Sequence, residues 1–177
     1  MRILKKIFSR IQRSYIRRLN SINVKMYMKK YNKWLRKQGV NIPEYNGVGY
    51  IDPSAYLDGS DYRNISIGNN VTISKEVMIL THDFSIWNGM ITKDLNNEKK
   101  RFEFIKKVSI GNNCFIGARA FILPGTNIGD NVIIGAASVI KGDIPNNTVF
   151  AGNPAKKICT IEEFTEKHIN LSDFCEN

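Results

Sequence analysis

No run of about eighteen apolar residues occurs in the 177-residue chain, so the sequence offers no transmembrane helix. Lysines and arginines interrupt any signal-peptide core near the N-terminus, and a cytoplasmic protein is expected. Cysteine is scarce. Cys114, Cys159 and Cys175 stand in no metal-ligand spacing and form no even-numbered framework, which makes a reducing compartment the economical reading. Histidine is scarcer still: His82 and His168 are too few for a three-histidine zinc site, and no metal is expected. Acidic residues are missing from residues 1–38, which hold thirteen of the 26 lysines and arginines, so the net charge of +10 belongs to an N-terminal arm. No nucleic-acid recognition motif accompanies that charge, and no nucleic-acid partner is expected.

What the chain has in quantity is isoleucine on a beat. Ile110, Ile116, Ile122, Ile128, Ile134 and Ile140 fall at every sixth position, with a compact residue four places after most of them: Cys114, Ala120, Thr126, Val132 and Ser138. A helix wants apolar residues three and four apart. A period of six suits a short strand and a tight turn, and three such sides close a triangular coil whose successive turns stack as parallel strands. The expected fold is therefore an all-β core, a parallel β-helix. The beat begins faintly with Ile51 and Leu57, is interrupted around Asp58 to Asn64, and returns at Ile67, Ile73 and Ile79. It breaks again just before His82 and resumes at Val108 or Ile110. A loop of that length inside a compact repeat calls for a function.

Three segments follow: a basic helical arm over 1–42, the β-helix over 43–158 with an extended loop at 83–107, and a C-terminal helix and tail over 159–177. In the arm, Leu4, Phe8, Ile11, Tyr15, Leu19, Ile22 and Met26 make an apolar stripe among Lys5, Lys6, Arg10, Arg13, Arg17 and Arg18. That stripe packs on the prism or a neighbouring subunit, or it lies on an anionic membrane at its inner face. A second helical piece, roughly Met26 to Gln38, ends at Gly39, a suitable C-cap. In the tail, Thr160 and Glu163 form a capping box. Cys114, at a compact position of a hexad, is expected to be buried filler, and His168 to be solvated.

The strings Ile110-Gly-Asn-Asn-Cys-Phe-Ile-Gly117, Pro124-Gly125, Ile134-Gly-Ala-Ala-Ser-Val-Ile-Lys-Gly-Asp-Ile-Pro145 and Ala151-Gly-Asn-Pro-Ala-Lys156 resemble the hexapeptide-repeat acyltransferases. The likeness is greatest to the branch of maltose and galactoside acetyltransferases and of capsule and lipopolysaccharide O-acetyltransferases, and it covers roughly Ile65 to Ile158. It implies a left-handed β-helix, a homotrimer with sites in the clefts between prisms, and acetyl-CoA as co-substrate. It also implies His82 as general base, contacts to acetyl-CoA from Phe115, Gly117, Ala118, Ala136 and Lys141, and Lys156 near the CoA phosphates. The family often has Trp where Phe115 stands, and often Thr or Lys-Asp in place of Lys141 and Gly142.

Acyl transfer needs a nucleophilic acceptor, a thioester held against it, and donors for the oxyanion. An imidazole, with an ordinary pKa near 6.5, takes a proton from a hydroxyl at neutral pH. His82 is the candidate for that step. Asp83 is a candidate to orient the imidazole or to bind the acceptor, although neighbours on a strand face opposite ways. In the loop, Phe84, Trp87 and Met90 beside Lys99, Lys100 and Arg101 join aromatic surface, on which sugars stack, to positive charge that suits a phosphate. The expected activity is O-acetylation of a sugar hydroxyl in a surface polysaccharide or its precursor. N-acetylation of an amino sugar, acetylation of a xenobiotic, and a non-catalytic assembly module remain open beside it, and the partners of His82 are expected from another subunit.

Overall fold

The computed structural model describes residues 2–93, 95 and 100–169, with side chains from residue 7 onward. Lys99, Cys175 and the side chains of Leu4, Lys5 and Lys6 lie outside the described residues.

The isoleucine beat builds three parallel sheets. The first holds Tyr50–Ile51, Thr72–Ile73, Phe115–Ile116, Ile133–Ile134 and Thr148–Gly152. The second holds Tyr56–Leu57, Met78–Ile79, Phe121–Ile122 and Val139–Ile140, and the third Ile65–Ile67, Val108–Ile110, Asn127–Ile128 and Asp143–Ile144. The chain visits the sheets in turn, so each coil gives one strand to each side of a three-sided β-helix. Register keeps like over like, with Ile73 and Ile134 flanking Ile116 and with Ile79 and Ile140 flanking Ile122. All of these isoleucines are buried, each stabilising the fold by about 1.5–3 kcal/mol.

At the corners between the third and first sheets the backbone turns through the left-handed region at Asn70, Asn113, Asn131 and Asn147, with φ of 51, 54, 56 and 60°. Asparagine tolerates that conformation better than most residues. Here its amides also join coil to coil: Asn70 donates to Asn113 at 3.0 Å, Asn113 to Asn131 at 3.1 Å and Asn131 to Asn147 at 2.8 Å. Asn113→Ala is expected to cost about 1–2 kcal/mol, from the left-handed backbone and the broken ladder together. Asn113→Gly keeps the backbone relaxed, so urea unfolding should rank it between alanine and wild type.

Two helices precede the β-helix: α1, Arg2–Arg18, and α2, Val24–Gln38, joined by a 3-10 turn at Leu19–Ser21. The apolar stripe, read in the sequence as continuous from Leu4 to Met26, is thus broken where Asn23 accepts from the Met26 amide at 2.8 Å and caps α2. Gly39 ends α2 with φ 111°. Tyr27, Met28, Tyr31, Trp34 and Leu35 are buried against the first coil, and the Tyr27 hydroxyl donates to the Ile51 carbonyl at 2.7 Å. With Asn41 pairing beside Ser66, α2 covers the N-terminal end of the core.

The two halves of the arm differ in what they do with their apolar residues. Among the described side chains of α1 only Ile16 is buried, while Ile7, Phe8, Ile11 and Tyr15 are exposed, Phe8 by 69%. At the other end, Ala155–Thr160 pairs antiparallel with Thr148–Gly152, a hairpin the repeat pattern did not announce. Helix α4, Ile161–His168, then opens on the expected capping box of Thr160 and Glu163. Among the described residues no helix is long and apolar enough to cross a membrane.

Candidate active site

Both interruptions of the beat fall at one corner of the prism, where the second sheet hands over to the third. Asp58 follows Leu57 in the first coil, and Leu80, Thr81 and His82 follow Ile79 in the second. Leu57 and Ile79 are register partners, so the two insertions stack. Asp58 is buried, 1% exposed, and each of its oxygens is occupied. Oδ1 accepts from the Ser60 amide at 3.1 Å. Oδ2 accepts from the Thr81 amide at 3.0 Å, from the Thr81 hydroxyl at 2.8 Å, and from Nδ1 of His82 through a short hydrogen bond.

Burial alone would raise the Asp58 pKa. The donors from Ser60, Thr81 and His82 outweigh it and hold the carboxyl down at about 2. An ionised carboxylate only accepts, so Nδ1 carries a proton, and whenever the ring is neutral its lone pair is on Nε2.

The extended segment after His82 closes as a small antiparallel pair, His82 with Ile105 and Asp83 with Phe104, around helix α3, Ser85–Thr92. Phe84 stands edge-on to the imidazole at 5.3 Å between centroids. Arg101 lies over the Phe84 ring at 4.0 Å and within 5.8 Å of the Trp87 centroid. Of the expected loop residues, Phe84 thus touches His82, and Trp87 is tied to the same corner through Arg101. Asp83 does not orient the imidazole. Its carboxylate accepts from the Ser85 amide at 2.8 Å, which holds its pKa below the ordinary range, with smaller help from the charges of Lys141 and His82.

Beside His82 opens a cleft of about 670 Å³ whose lining includes the arm: Arg10 and Arg13 of α1 and Trp34 of α2. The partner of His82, expected from another subunit, is Asp58 of the same chain. Sequence reading did not mark Asp58 for the site, and it set Arg10 and Arg13 in the basic arm only. The available signal for Asp58 was that both irregularities follow the second side of consecutive coils.

A family model described as a hexapeptide repeat of succinyl-transferase matches residues 107–141. Protein CapG of Staphylococcus aureus is 40% identical over 140 residues, covering 79% of this chain and 77% of its own. The chain belongs to the hexapeptide-repeat acetyltransferases. Its branch is that of the galactoside and maltose O-acetyltransferases. The galactoside O-acetyltransferase of Escherichia coli strain K12 is 36% identical over 114 residues, 64% of this chain but 52% of that protein, so the chain spans about half of that relative's length. A galactoside acetyltransferase solved in complex with coenzyme A superposes with a TM-score of 0.60 over 96% of this chain and 88% of that one, at 24% identity, a likeness of fold.

In this acetyltransferase-family chain the residues matched to acetyl-CoA binding separate into two groups. Gly117, Ala118 and Ala136 lie at the corner between the first and second sheets, on stacked coils. The Gly117 amide donates to the Ile134 carbonyl at 2.8 Å, and Ala118 accepts from the Ala137 amide at 2.8 Å. Phe115 is exposed on the adjoining face, and Lys156 pairs with Ala151 in the terminal hairpin on the same sheet. Lys141 instead sits at the His82 corner, near enough to Asp83 for its charge to be felt there. One side of six residues separates the corners, about 20 Å at the rise of a strand. Cys114 is buried, with burial pushing its thiol pKa up, and makes no nucleophile. His168 is far along the chain in α4, stacked on Phe164 at 4.3 Å.

Proposed function

We propose that the protein transfers the acetyl group of acetyl-CoA to a sugar hydroxyl, with His82 as general base. The ionised Asp58 on Nδ1 of His82 carries the proposal, because it leaves the lone pair of the neutral ring on Nε2, in a residue that lines the cleft. Nε2 takes the hydroxyl proton as the oxygen attacks the thioester carbonyl. The tetrahedral adduct collapses, the C–S bond breaks, and the thiolate leaves with the proton returned from Nε2. Asp58 stabilises the imidazolium that exists between those two transfers.

A homotrimer supports this chemistry geometrically. The Gly117–Ala136 corner and the His82 corner of one prism are a full side apart, and three prisms packed in a ring would set one against the other. Phe115, Gly117, Ala118 and Ala136 would then line the pantetheine of acetyl-CoA, Lys156 would meet its phosphates, and Lys141 would stand at the base's corner. Asp83, Phe84 and Trp87 are the proposed acceptor contacts. The names of the galactoside relatives favour oxygen over nitrogen as the acetylated atom. Calorimetric titration with acetyl-CoA, run with thiol release over a panel of sugars and amino sugars, tests the proposal. Binding with release only for sugar hydroxyls is expected. No binding by a folded trimer would turn the reading to an assembly module.

The outward stripe of α1, with Ile7, Phe8, Ile11 and Tyr15 exposed beside arginines, supports peripheral contact with an anionic membrane. This would place the enzyme on the inner face, where precursors of surface polysaccharides carried on lipid are built. Co-sedimentation with phosphatidylglycerol vesicles is expected and should weaken in high salt. Phe8→Asp should abolish it; an unchanged vesicle affinity with a changed oligomer mass would assign the stripe to a subunit contact.

A further inference from the structure

The arm does more than cover the prism, because α1 forms a wall of the cleft onto which His82 opens. Arg10 and Arg13 stand there with Trp34, Tyr56, Tyr62 and His82. Arg13 lays its guanidinium over the Trp34 ring, 5.5 Å from the centroid, and its buried Nε has no acceptor among the described residues. The Trp34 indole nitrogen, also buried, has none either. Neither arginine forms an ion pair with any described residue. Asp58, which shares the lining, accepts its hydrogen bonds from Ser60, Thr81 and His82 and none from either arginine. Tyr62, set against Trp34 at 6.0 Å and raised in pKa by burial, stays neutral.

Two arginines thus line a cleft whose lining holds one acid, Asp58, already hydrogen-bonded to Ser60, Thr81 and His82. A guanidinium stacked on an aromatic ring keeps its fork free for the two oxygens of a carboxylate or the oxygens of a phosphate. Tyr56, which is exposed, and the partly buried Tyr62 offer aromatic surface to a sugar. An acceptor that only presented hydroxyls would leave the arginines unmatched. We propose that the acceptor is an acidic sugar, whose carboxylate or phosphate is bound by Arg13 and Arg10 while one of its hydroxyls meets Nε2 of His82. This rests on the reading of His82 as the base, and it makes the arm a determinant of specificity.

The test compares matched acceptors: a neutral hexose, its uronic acid, and its sugar 1-phosphate, each followed by thiol release and by calorimetric binding. A preference of about tenfold to a hundredfold in kcat/KM for at least one acid over the neutral sugar is expected, the range for a hydrogen-bonded charge. Which acid wins separates a carboxylate-bearing unit from a phosphate-linked one. Arg13→Gln should erase most of that preference through KM, and Arg13→Lys should restore part of it. Since Arg13 also packs on Trp34, Arg10→Gln, at an exposed position, gives a second reading in a fold left intact. Equal kcat/KM for the three sugars, or a preference that survives both glutamine variants, overturns the proposal. Arg13-dependent binding of an acid without any acetyl transfer would keep the anion site and sink His82 as the base; transfer to neutral sugars alone would do the reverse.

Discussion

His82→Ala is expected to lower kcat for acetyl transfer by about 10²- to 10⁴-fold, the usual contribution of a positioned general base. Its dissociation constant for acetyl-CoA should not move, because the residues matched to that ligand lie mainly at another corner of the prism. Asp58→Asn should fall short of that loss, at about tenfold to a hundredfold. The amide oxygen still accepts from Nδ1 if it occupies the Oδ2 position, but the charge that stabilises the imidazolium is gone. The amide nitrogen would then face the Ser60 N–H, donor against donor, and the corner should lose stability as well. Steady-state kinetics of the two variants, with calorimetry for acetyl-CoA, separate these effects. Full activity in either variant removes the pair from the mechanism. The same pair sets an acid limit on the fold. The Asp58 pKa is depressed from 3.8 to about 2, so its stabilising contribution is complete above pH 4 and is lost as pH falls through 2.

Periodic information survived the passage from sequence to structure far better than information about facing. Isoleucine every sixth residue states which side chain points inward and how long a side is, and those facts determine the three sheets. The break at His82 was legible for the same reason, as a departure from a period. Asp58 was not. Its pairing with His82 spans 24 residues and depends on two insertions landing at one corner, which requires counting sides rather than residues. The same count separates Gly117 and Ala136 from Lys141, although Ala136 and Lys141 are five residues apart in the chain. The arm shows a different limit. An amphipathic stripe says that one face of a helix is apolar, and it is silent on which way that face turns. On α2 it turns toward the core; on α1 it turns away, and the polar face with Arg10 and Arg13 goes to the cleft.

The second large effect concerns the small residue after the isoleucine. A Cβ on Gly117 would meet the Ala136 nitrogen at 2.5 Å, the Gly135 carbonyl carbon at 2.7 Å and the Ile134 oxygen at 2.7 Å, all of them backbone of the next coil. No side chain can move aside to admit it. The coils would have to part, against the parallel register of Phe115 with Ile133 and Ile116 with Ile134. Gly117→Ala is therefore expected to cost about 3 kcal/mol, the upper part of the range for overpacking, and to shift the urea midpoint accordingly. Gly142→Ala makes the control. Gly142 has φ 85° and nothing within 4 Å of its Cβ position, so only backbone strain of about 1–2 kcal/mol is expected there. A smaller loss at Gly117 than at Gly142 would mean that the coils yield at this corner. Since Gly117 and Ala136 are the proposed lining for pantetheine, the rigidity that rejects a methyl group is also what would hold the acetyl donor at a constant depth. A Gly117→Ala protein that still folds should accordingly lose affinity for acetyl-CoA more than it loses affinity for the acceptor.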